Sequence, residues 1–386
     1  MSFVYLDHNA TTPVDPRVLE KMLPYFTQVY GNAASVDHEF GHQALEAVNL
    51  AREQIAAAIN AEPDEIIFTS GATESDNIAL LGVAEKYAHR GDHIITCVTE
   101  HKAVLDTCAR LERLGQRVTY LPVDQYGLVD PEDVRRAITP QTILVSIMVA
   151  NNEIGTLSPL AEIGQVTREH GVLFHTDAAQ AVGHVPLDVQ AMNIDILSMS
   201  AHKVYGPKGV GALYRRRSNP RVLLEPVLYG GGHEKGLRSG TLNVPGIVGL
   251  GEAIRLACET MPLEVPRLQA LTEYALGRFE VMIEGVELNG HPTQRLPHNL
   301  NVSIRGLESR ALVVLLKNVA ISTGSACTSN KVEPSHVIKA LGFSPERAYS
   351  AIRLSVGRTT NIQALDVATN EILHEAQKLI SMRHKL

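Results

Sequence analysis

The stretch "DEIIFTSGATESDNIALLGVAEKYAHRGDHIITCV" (64–98) decides the predicted fold. It begins with a short apolar run (64–70), continues with a segment whose apolar residues recur at helical spacing (74–90), and ends with a second apolar run (93–98). Short apolar runs bounded by turn residues are typical of buried strands. A strand, a helix and another strand in succession predict one unit of a parallel sheet.

The same alternation continues through the first two-thirds of the chain. Four further apolar runs predict buried strands: "RVTYLPV" (117–123), "TILVSIM" (142–148), "GVLFHTD" (171–177) and "IDILSMS" (194–200). Repeated strand and helix segments indicate an α/β fold, in which a largely parallel sheet is covered on both faces by helices.

The pattern changes around residues 258–270. The segments that follow are "NLNVSI" (299–304), whose strict alternation predicts a half-exposed strand, a helix over "ESRALVVLLKN" (308–318), a second alternating strand "SAIRLSV" (350–356) and an amphipathic helix from about 362 to 381. We therefore predict two domains. Residues 15–257 form the large one, and residues 1–14 with 258–386 form a smaller α+β domain.

Composition excludes several classes of function. The 386 residues carry a formal net charge of −7, so no broad basic surface is expected and no direct nucleic-acid binding is predicted. No apolar run reaches the roughly 18 residues of a membrane span, which predicts no membrane partner. The amino-terminal "MSFVYLDHNATTP" lacks the features of a secretory signal, so a cytoplasmic protein is expected.

The cysteines and histidines predict no metal site. Cys97, Cys108, Cys258 and Cys327 form no C-x-x-C pair, and the sixteen histidines show no paired-ligand cluster. Cys327 lies in "AISTGSACTSN" (320–330), among small polar residues that are typical of an exposed loop. A thiol in such a loop can react, although an ordinary surface cysteine is the alternative explanation.

Polar residues follow three of the predicted strands. The "TSGATESDN" turn (69–77) is either a phosphate cradle or an ordinary helix cap. Asp177 and Gln180 follow the fifth strand, and the sixth is followed by Ser200, His202 and Lys203. A carboxylate, a lysine and a phosphate cradle together are the set that pyridoxal phosphate requires. The lysine bonds the aldehyde, the acid keeps the ring nitrogen protonated, and the helix start binds the phosphate.

The sequence resembles the cysteine desulfurases of the pyridoxal-phosphate fold-type I (class V aminotransferase) superfamily, in particular the group whose cysteine lies on a long active-site loop. Nine motifs in family order carry the resemblance: "YLDHNATTPVDP" (5–16), "FTSGATESDN" (68–77), "TEHKAV" (99–104), "NNEIGT" (151–156), "HTDAAQAVG" (175–183), "SAHKVYGPKGVGALY" (200–214), "GGGHEKGLRSGTLN" (230–243), "STGSACTS" (322–329) and "AIRLSVGR" (351–358). They span nearly the whole chain. The resemblance implies a large cofactor-binding domain with a mainly parallel, seven-stranded sheet between helices.

It also implies roles for the matching residues. Lys203 would bear the cofactor, Asp177 would pair with the pyridinium nitrogen, and His101 would stack on the ring and move protons. The other implied cofactor contacts are Asn152 and Gln180 at the ring hydroxyl, Ala72, Thr73, Ser200 and His202 at the phosphate, and Thr241 at the phosphate of a neighbouring subunit. The last contact implies a homodimer.

The implied reaction converts L-cysteine to L-alanine. Arg353, with Asn152, would bind the substrate's carboxylate, and Cys327 would be the nucleophile that takes the sulfur as a persulfide. The sulfur would then pass to an iron–sulfur scaffold or another acceptor protein. Because only a thiolate attacks, Cys327 needs a cationic partner or a proton acceptor, and His101 is the candidate.

Two kinds of alternative remain open at this stage. A selenocysteine lyase or an aminotransferase would share Lys203 and Asp177, but an aminotransferase needs no thiol at Cys327. A catalytically silent sulfur-transfer scaffold would not need the lysine, aspartate, histidine and cysteine together. Relatives that serve general iron–sulfur cluster assembly carry a longer tail that docks their scaffold. The sequence here ends at "QKLISMRHKL", which leaves the docking mode open.

Overall fold

The computed structural model describes residues 3–323 and 334–383. The strands are β1 Val4–Tyr5, β2 Ile66–Thr69, β3 His93–Cys97, β4 Arg117–Leu121, β5 Thr142–Ser146, β6 Leu173–Asp177, β7 Ile196–Ser200, β8 Gly211–Arg215, β9 Val286–Leu288, β10 Asn299–Ile304, β11 Val319–Ala320 and β12 Ala351–Ser355. The helices are α1 Pro16–Met22, α2 Pro24–Thr27, α3 Glu39–Ala58, α4 Ala72–Lys86, α5 Lys102–Arg113, α6 Pro131–Ala137, α7 Leu160–His170, α8 Val244–Met282, α9 Ser309–Leu315, α10 His336–Ala340, α11 Pro345–Tyr349 and α12 Ile362–Arg383. Short 3₁₀ turns cover Pro63–Glu65, Ala201–Lys203 and Glu234–Gly236.

A seven-stranded sheet lies at the centre of the molecule, in the order β2-β8-β7-β6-β5-β3-β4. Strands β3 to β7 pair in parallel, whereas β8 is antiparallel to both β2 and β7. The predicted α/β class with a mainly parallel, seven-stranded sheet is confirmed. All six strands predicted from apolar runs are present, and the sequence analysis missed β8 because glycines interrupt its run.

The strand directions bring the polar turns to one edge of this sheet. Strands β3, β5, β6 and β7 end at the same edge because they are parallel. Strand β2 ends there too, because it and β7 both run opposite to β8. Ligands of open α/β sheets bind beyond the carboxyl ends of the strands. The turns after these five strands therefore meet in one place.

The molecule also has a three-stranded antiparallel sheet, in the order β12-β10-β9. Buried apolar side chains of β10 and β12 pack in one cluster with those of α12. Strand β1 pairs in parallel with β11 and so brings the start of the chain to this part of the molecule. The predicted division into two domains stays a prediction. It is supported by the buried apolar side chains, because one large cluster draws on residues 18–257 with Leu296 and another on 4–6 with 268–376. Helix α8 runs through both, with Pro262 and Pro266 inside it.

The prediction of a half-exposed β10 is wrong, because all six of its residues are buried. Its polar face is covered by hydrogen-bonding partners instead of water. Asn301 donates from Nδ2 to the main-chain oxygen of Glu153 at 3.0 Å, and its Oδ1 accepts from Asn289 at 2.8 Å. Ser303 donates to the carbonyl of Arg347 at 2.9 Å. The alternation of polar and apolar residues in the sequence identifies a polar face, but it does not show whether that face contacts solvent or other polar groups of the protein.

Across the part of the chain that is described, no helix has both the length and the apolarity to span a bilayer.

Candidate active site

A cavity of about 720 Å³ opens where the five strand ends meet. Ten predicted site residues line it: Ala72, Thr73, His101, Asn152, Asp177, Gln180, Ser200, His202, Lys203 and Arg353. Thr241 is exposed and is not among the lining residues, and Cys327 lies outside the described residues. The cavity therefore gathers the predicted cofactor and substrate residues of one subunit.

The beginning of α4 has the properties of an anion site. Gly71 precedes the helix with φ +154° and no side chain caps the first turn, so the N–H groups of Ala72, Thr73 and Glu74 have no partner within the helix. These residues line the cavity, as do Gly71 and Ser200. Free N–H groups and a helix start are what a phosphate group requires.

Lys203 extends from the turn after β7 into the cavity. Its Nζ donates to the main-chain oxygens of Asn9 and Ala10, at 2.8 Å to Ala10. The carbonyl of Lys203 accepts from Nε2 of the buried His184 at 3.0 Å, which fixes the lysine backbone. Asn9 is held in turn by Gln180, because their side-chain amides are joined at 3.0 Å and Gln180 also donates to the Asn9 carbonyl.

Three buried carboxyl groups, those of Asp177, Asp76 and Glu100, lie behind the cavity. Burial raises the pKa of each, to about 8 for Glu100. Asp177 is the best stabilised as an anion, because Ala179 N–H donates to it at 2.8 Å and the neighbouring side chains of His101 and Lys203 lower its pKa. Both oxygens of Asp76 lack a hydrogen-bond partner among the described residues, and Oδ1 lies 3.6 Å from Nε2 of the buried His175. Neighbouring buried carboxylates do not ionise together. The single negative charge therefore resides on Asp177, where a pyridinium nitrogen would need it.

The rings of His101 and His202 are each held by a hydrogen bond at Nδ1. His101 caps α5, and its Nδ1 accepts from the N–H of Ala103 at 3.1 Å, so the neutral ring carries its proton on Nε2. His202 is joined through Nδ1 to the hydroxyl of Thr11 at 3.1 Å. Burial, with Lys203 and Lys208 nearby, lowers the pKa of His202 to about 4, and His202 is therefore neutral at pH 7.

Arg353 lies on β12, is only 4% exposed and still lines the cavity. Its Nη1 donates to the Asn152 carbonyl at 2.9 Å, and its Nη2 donates to Oδ1 of Asp7 at 2.7 Å. Its Nε is buried and has no partner within residues 3–323 and 334–383. The guanidinium is thus oriented by the protein and retains a donor for an anionic ligand.

Several residues of the site were missed by the sequence analysis. The carbonyls of Asn9 and Ala10 hold Lys203, Asp7 orients Arg353, and Ser335 donates to the buried carboxyl of Glu153. Burial raises the pKa of Glu153 to about 7, against the opposing effects of Ser335 and Arg353. The motifs at 5–16 and 151–156 contain most of these residues. A contact made by a main-chain carbonyl cannot be predicted from side-chain chemistry, because every residue has such a carbonyl.

The donor set fits pyridoxal phosphate. One cavity combines an amine for the aldehyde (Lys203), a buried carboxylate for the ring nitrogen (Asp177) and a helix start for the phosphate (Ala72 and Thr73). Together with the sheet order, these define a pyridoxal-phosphate enzyme of fold type I. No group of three or more potential metal-ligating side chains occurs in the described ranges.

Residues 4–367 match the family model "Aminotransferase class-V", and the chain belongs to that family. It is 53% identical over 379 residues to "Cysteine desulfurase IscS" of Anaeromyxobacter dehalogenans (strain 2CP-C), with 98% of this chain and 94% of that relative covered. A solved "NifS-like protein" superposes with a TM-score of 0.91 at 36% identity, covering 97% of this chain and 100% of its own. "SspA in complex with cysteine" superposes with a TM-score of 0.82 at 41% identity, covering 92% and 98%. The predicted family and cofactor are confirmed.

Proposed function

We propose that this chain is a pyridoxal-phosphate-dependent cysteine desulfurase that converts L-cysteine to L-alanine and transfers the sulfur to Cys327 as a persulfide. The observation that carries the proposal is the setting of Arg353, a buried guanidinium that lines the same cavity as Lys203 and Asp177. An amino-acid carboxylate is the natural partner of such a group. A relative named cysteine desulfurase and a similar solved structure in complex with cysteine support the choice of substrate over selenocysteine.

Each residue of the cavity has a separate role in the proposed reaction. When bound, pyridoxal phosphate supplies an electrophilic aldehyde and a ring that accepts electrons from the α-carbon of the substrate. Asp177 would keep the ring nitrogen protonated, because it is the one of the three carboxyls behind the cavity that is best stabilised as an anion. Arg353, with Asn152, fixes the carboxylate of the substrate. Lys203 would provide the amine for the aldehyde, and the carbonyls of Asn9 and Ala10 accept hydrogen bonds from this amine in the present structure.

Cys327 is proposed as the nucleophile on the strength of its motif. The described residues on either side of it support this role. The main chain of Ser322 pairs with that of Arg353, with N to O distances of 2.7 and 3.1 Å, and Ser335 contacts Glu153. Arg353 and Glu153 both line the cavity. The described residues before and after Cys327, Ser322 and Ser335, therefore both contact residues of the cavity.

The assembly and the sulfur acceptor are further parts of the proposal. Between the start of α2 and the start of α3 the chain exposes several large apolar side chains, which we call the α2–α3 patch: Leu23, Phe26, Tyr30, Val36 and Phe40. An exposed patch of this kind is typical of a protein interface, and Thr241 is exposed and available to a second copy. We propose a cytoplasmic homodimer that passes sulfur to an iron–sulfur scaffold or another acceptor protein.

A single substitution tests the nucleophile. Cys327→Ser should retain the visible absorption of the bound cofactor but form no persulfide and release no sulfide from L-cysteine, because an alcohol cannot accept the sulfur. Sulfide release and persulfide labelling are measured on the loaded enzyme. Cys258→Ser is the matched control, because Cys258 is half-buried and outside the cavity lining. Normal sulfide release by the Cys327 variant would contradict the assignment.

A further inference from the structure

A third imidazole lines the cavity beside those of His101 and His202, and it carries its proton on the same nitrogen, Nε2, as His101. His336 is the first residue of α10, and its Nε2 lies 3.2 Å from the main-chain oxygen of Glu100. A carbonyl only accepts, so Nε2 carries the proton and Nδ1 keeps its lone pair. Nδ1 makes no hydrogen bond to any residue in the described ranges. His101 thus presents a proton at Nε2, whereas His336 offers an acceptor at Nδ1.

The surroundings keep His336 neutral at pH 7. Burial lowers its pKa, and the neighbouring side chains of Lys102 and His101 lower it further. The hydrogen bond to the Glu100 carbonyl and the charge of Asp106 act in the other direction without reversing the shift. The carboxyl of Glu100, whose main chain bonds the ring, and that of Glu153, which is bonded to the preceding Ser335, are themselves buried groups with raised pKa values. A neutral ring is ready to accept a proton.

The main chain on both sides of the ring is fixed. Ser335 caps α10, because its Oγ accepts from the N–H groups of Val337 at 3.1 Å and Ile338 at 3.2 Å. The same hydroxyl donates to the buried Glu153 carboxyl. Val337 and Ile338 are buried. Glu153 therefore acts as a positioning residue for the turn that carries His336.

Several other groups of the cavity already hold hydrogen bonds. The Nδ1 of His101 accepts from Ala103, Nδ1 of His202 is joined to Thr11, and Oε2 of Glu153 accepts from Ser335. Lys203 donates to two carbonyls. An amino acid enters with an ammonium group, which cannot attack a carbon until it has lost a proton. Nδ1 of His336 is an acceptor without a partner in the described ranges and can take this proton.

We propose that His336 is a further catalytic residue, which accepts at Nδ1 the proton that the ammonium group of the amino-acid substrate loses. The N–H bond of the ammonium breaks, its electron pair stays on the substrate nitrogen, and a new N–H bond forms at Nδ1 to give an imidazolium. The neutral amine then has a free electron pair with which the substrate nitrogen can form a new bond. This inference rests on the proposed function for the identity of the substrate.

Replacing His336 by glutamine tests the proposal. His336→Gln retains an N–H donor for the Glu100 carbonyl but removes the titratable acceptor. The loaded enzyme is mixed rapidly with L-cysteine or with L-alanine, which has an ammonium group but no thiol, and the change in cofactor absorbance is followed. At pH 7 we expect both rates to fall by roughly a hundredfold, the usual contribution of a positioned base. The difference in rate between the variant and the unaltered enzyme should shrink as the pH rises past the pKa of the ammonium, because the substrate then enters as the free amine and needs no base.

The controls separate this role from a structural one. His374→Gln is the matched control, because the His374 side chain is 77% exposed on α12. Nitrogen NMR of ¹⁵N-histidine-labelled protein should assign the Nε2–H tautomer to the resonance that disappears in His336→Gln, and this readout needs no turnover. If glutamine does not support folding, His336→Asn is measured in the same way, beside the NMR of the unaltered protein.

Three results would overturn the proposal: unchanged rates in the variant, a deficit with L-cysteine alone, or an Nδ1–H tautomer. A deficit limited to L-cysteine would make His336 a base for a thiol instead. Failure of the proposed function is distinguishable, because an unaltered protein that makes no L-alanine from L-cysteine still reports on His336 through the L-alanine experiment.

Discussion

At the scale of single residues, Arg353 shows how the protein prepares a ligand group before the ligand arrives. Two of its nitrogens are bonded to the Asn152 carbonyl and to Asp7, while Nε has no partner among the described residues. A buried donor without a partner is costly, by about 1–3 kcal/mol. A substrate carboxylate would remove this cost on binding, which is a physical reason for substrate affinity at this position.

Arg353→Lys should weaken substrate binding without removing the cofactor. A lysine has one nitrogen and cannot bond Asn152, Asp7 and a carboxylate in the same planar arrangement. We expect KM for L-cysteine to rise by roughly 10- to 100-fold, from the loss of a charge-assisted hydrogen bond. Steady-state kinetics measure this, and cofactor absorbance is the control. A KM within twofold of the unaltered enzyme would contradict the role.

The predictable residues were those whose chemistry lies in the side chain. Lys203 and Asp177 follow apolar strands, so sheet geometry alone indicated that they would meet. Asn9 and Ala10 could not be predicted in this way, because they act through carbonyls and come from the far end of the chain. His336 was missed for another reason: a histidine at the start of a short helix looks ordinary until its hydrogen bonds are known.

At the scale of elements, the turn between β2 and α4 depends on the packing of β8 beneath it. A Cβ on Gly211 would lie 2.6 Å from the Cα of Gly71 and 2.4 Å from the carbonyl oxygen of Met199. Both are backbone atoms, which cannot move aside as a flexible side chain would. Glycine at 211 therefore allows the first turn of α4 to sit against the sheet edge, where its N–H groups line the cavity.

Gly211→Ala should weaken cofactor binding by displacing this turn. We expect the Kd for pyridoxal phosphate to rise at least tenfold, measured by fluorescence or absorbance titration of the cofactor-free protein. Gly277→Ala is the matched control: no atom would lie within 4 Å of its Cβ, and it should raise helix stability by roughly 0.5–1 kcal/mol. An unchanged Kd in the Gly211 variant would show that the turn tolerates the methyl group.

At the scale of the whole molecule, the α2–α3 patch is the clearest sign of a larger assembly. Phe26 and Val36 are 57% and 62% exposed, and the rings of Tyr30 and Phe40 lie 5.5 Å apart. Exposed apolar side chains are stabilised when a second surface covers them. The sequence implied a dimer only through resemblance, because exposure becomes visible only in the folded chain.

Phe26→Asp combined with Val36→Asp should convert a dimer into a monomer, because two charges would lose water at the interface. Sedimentation equilibrium measures the mass, which we expect to halve. Val281→Asp is the matched control, because Val281 is 83% exposed on α8 and is not part of the α2–α3 patch. A double variant that keeps the mass of the unaltered protein would place the interface elsewhere.

The pairing of β1 with β11 has a consequence for biogenesis. Asn9 and Ala10, which receive the amine of Lys203, follow directly after β1, and that strand finds its hydrogen-bonding partner only at Val319–Ala320. Pairing over such a sequence distance is slow, because a long loop must close first. A nascent chain on the ribosome therefore cannot finish this pocket until its last third has emerged, and we expect vitamin B6 capture to follow translation instead of accompanying it.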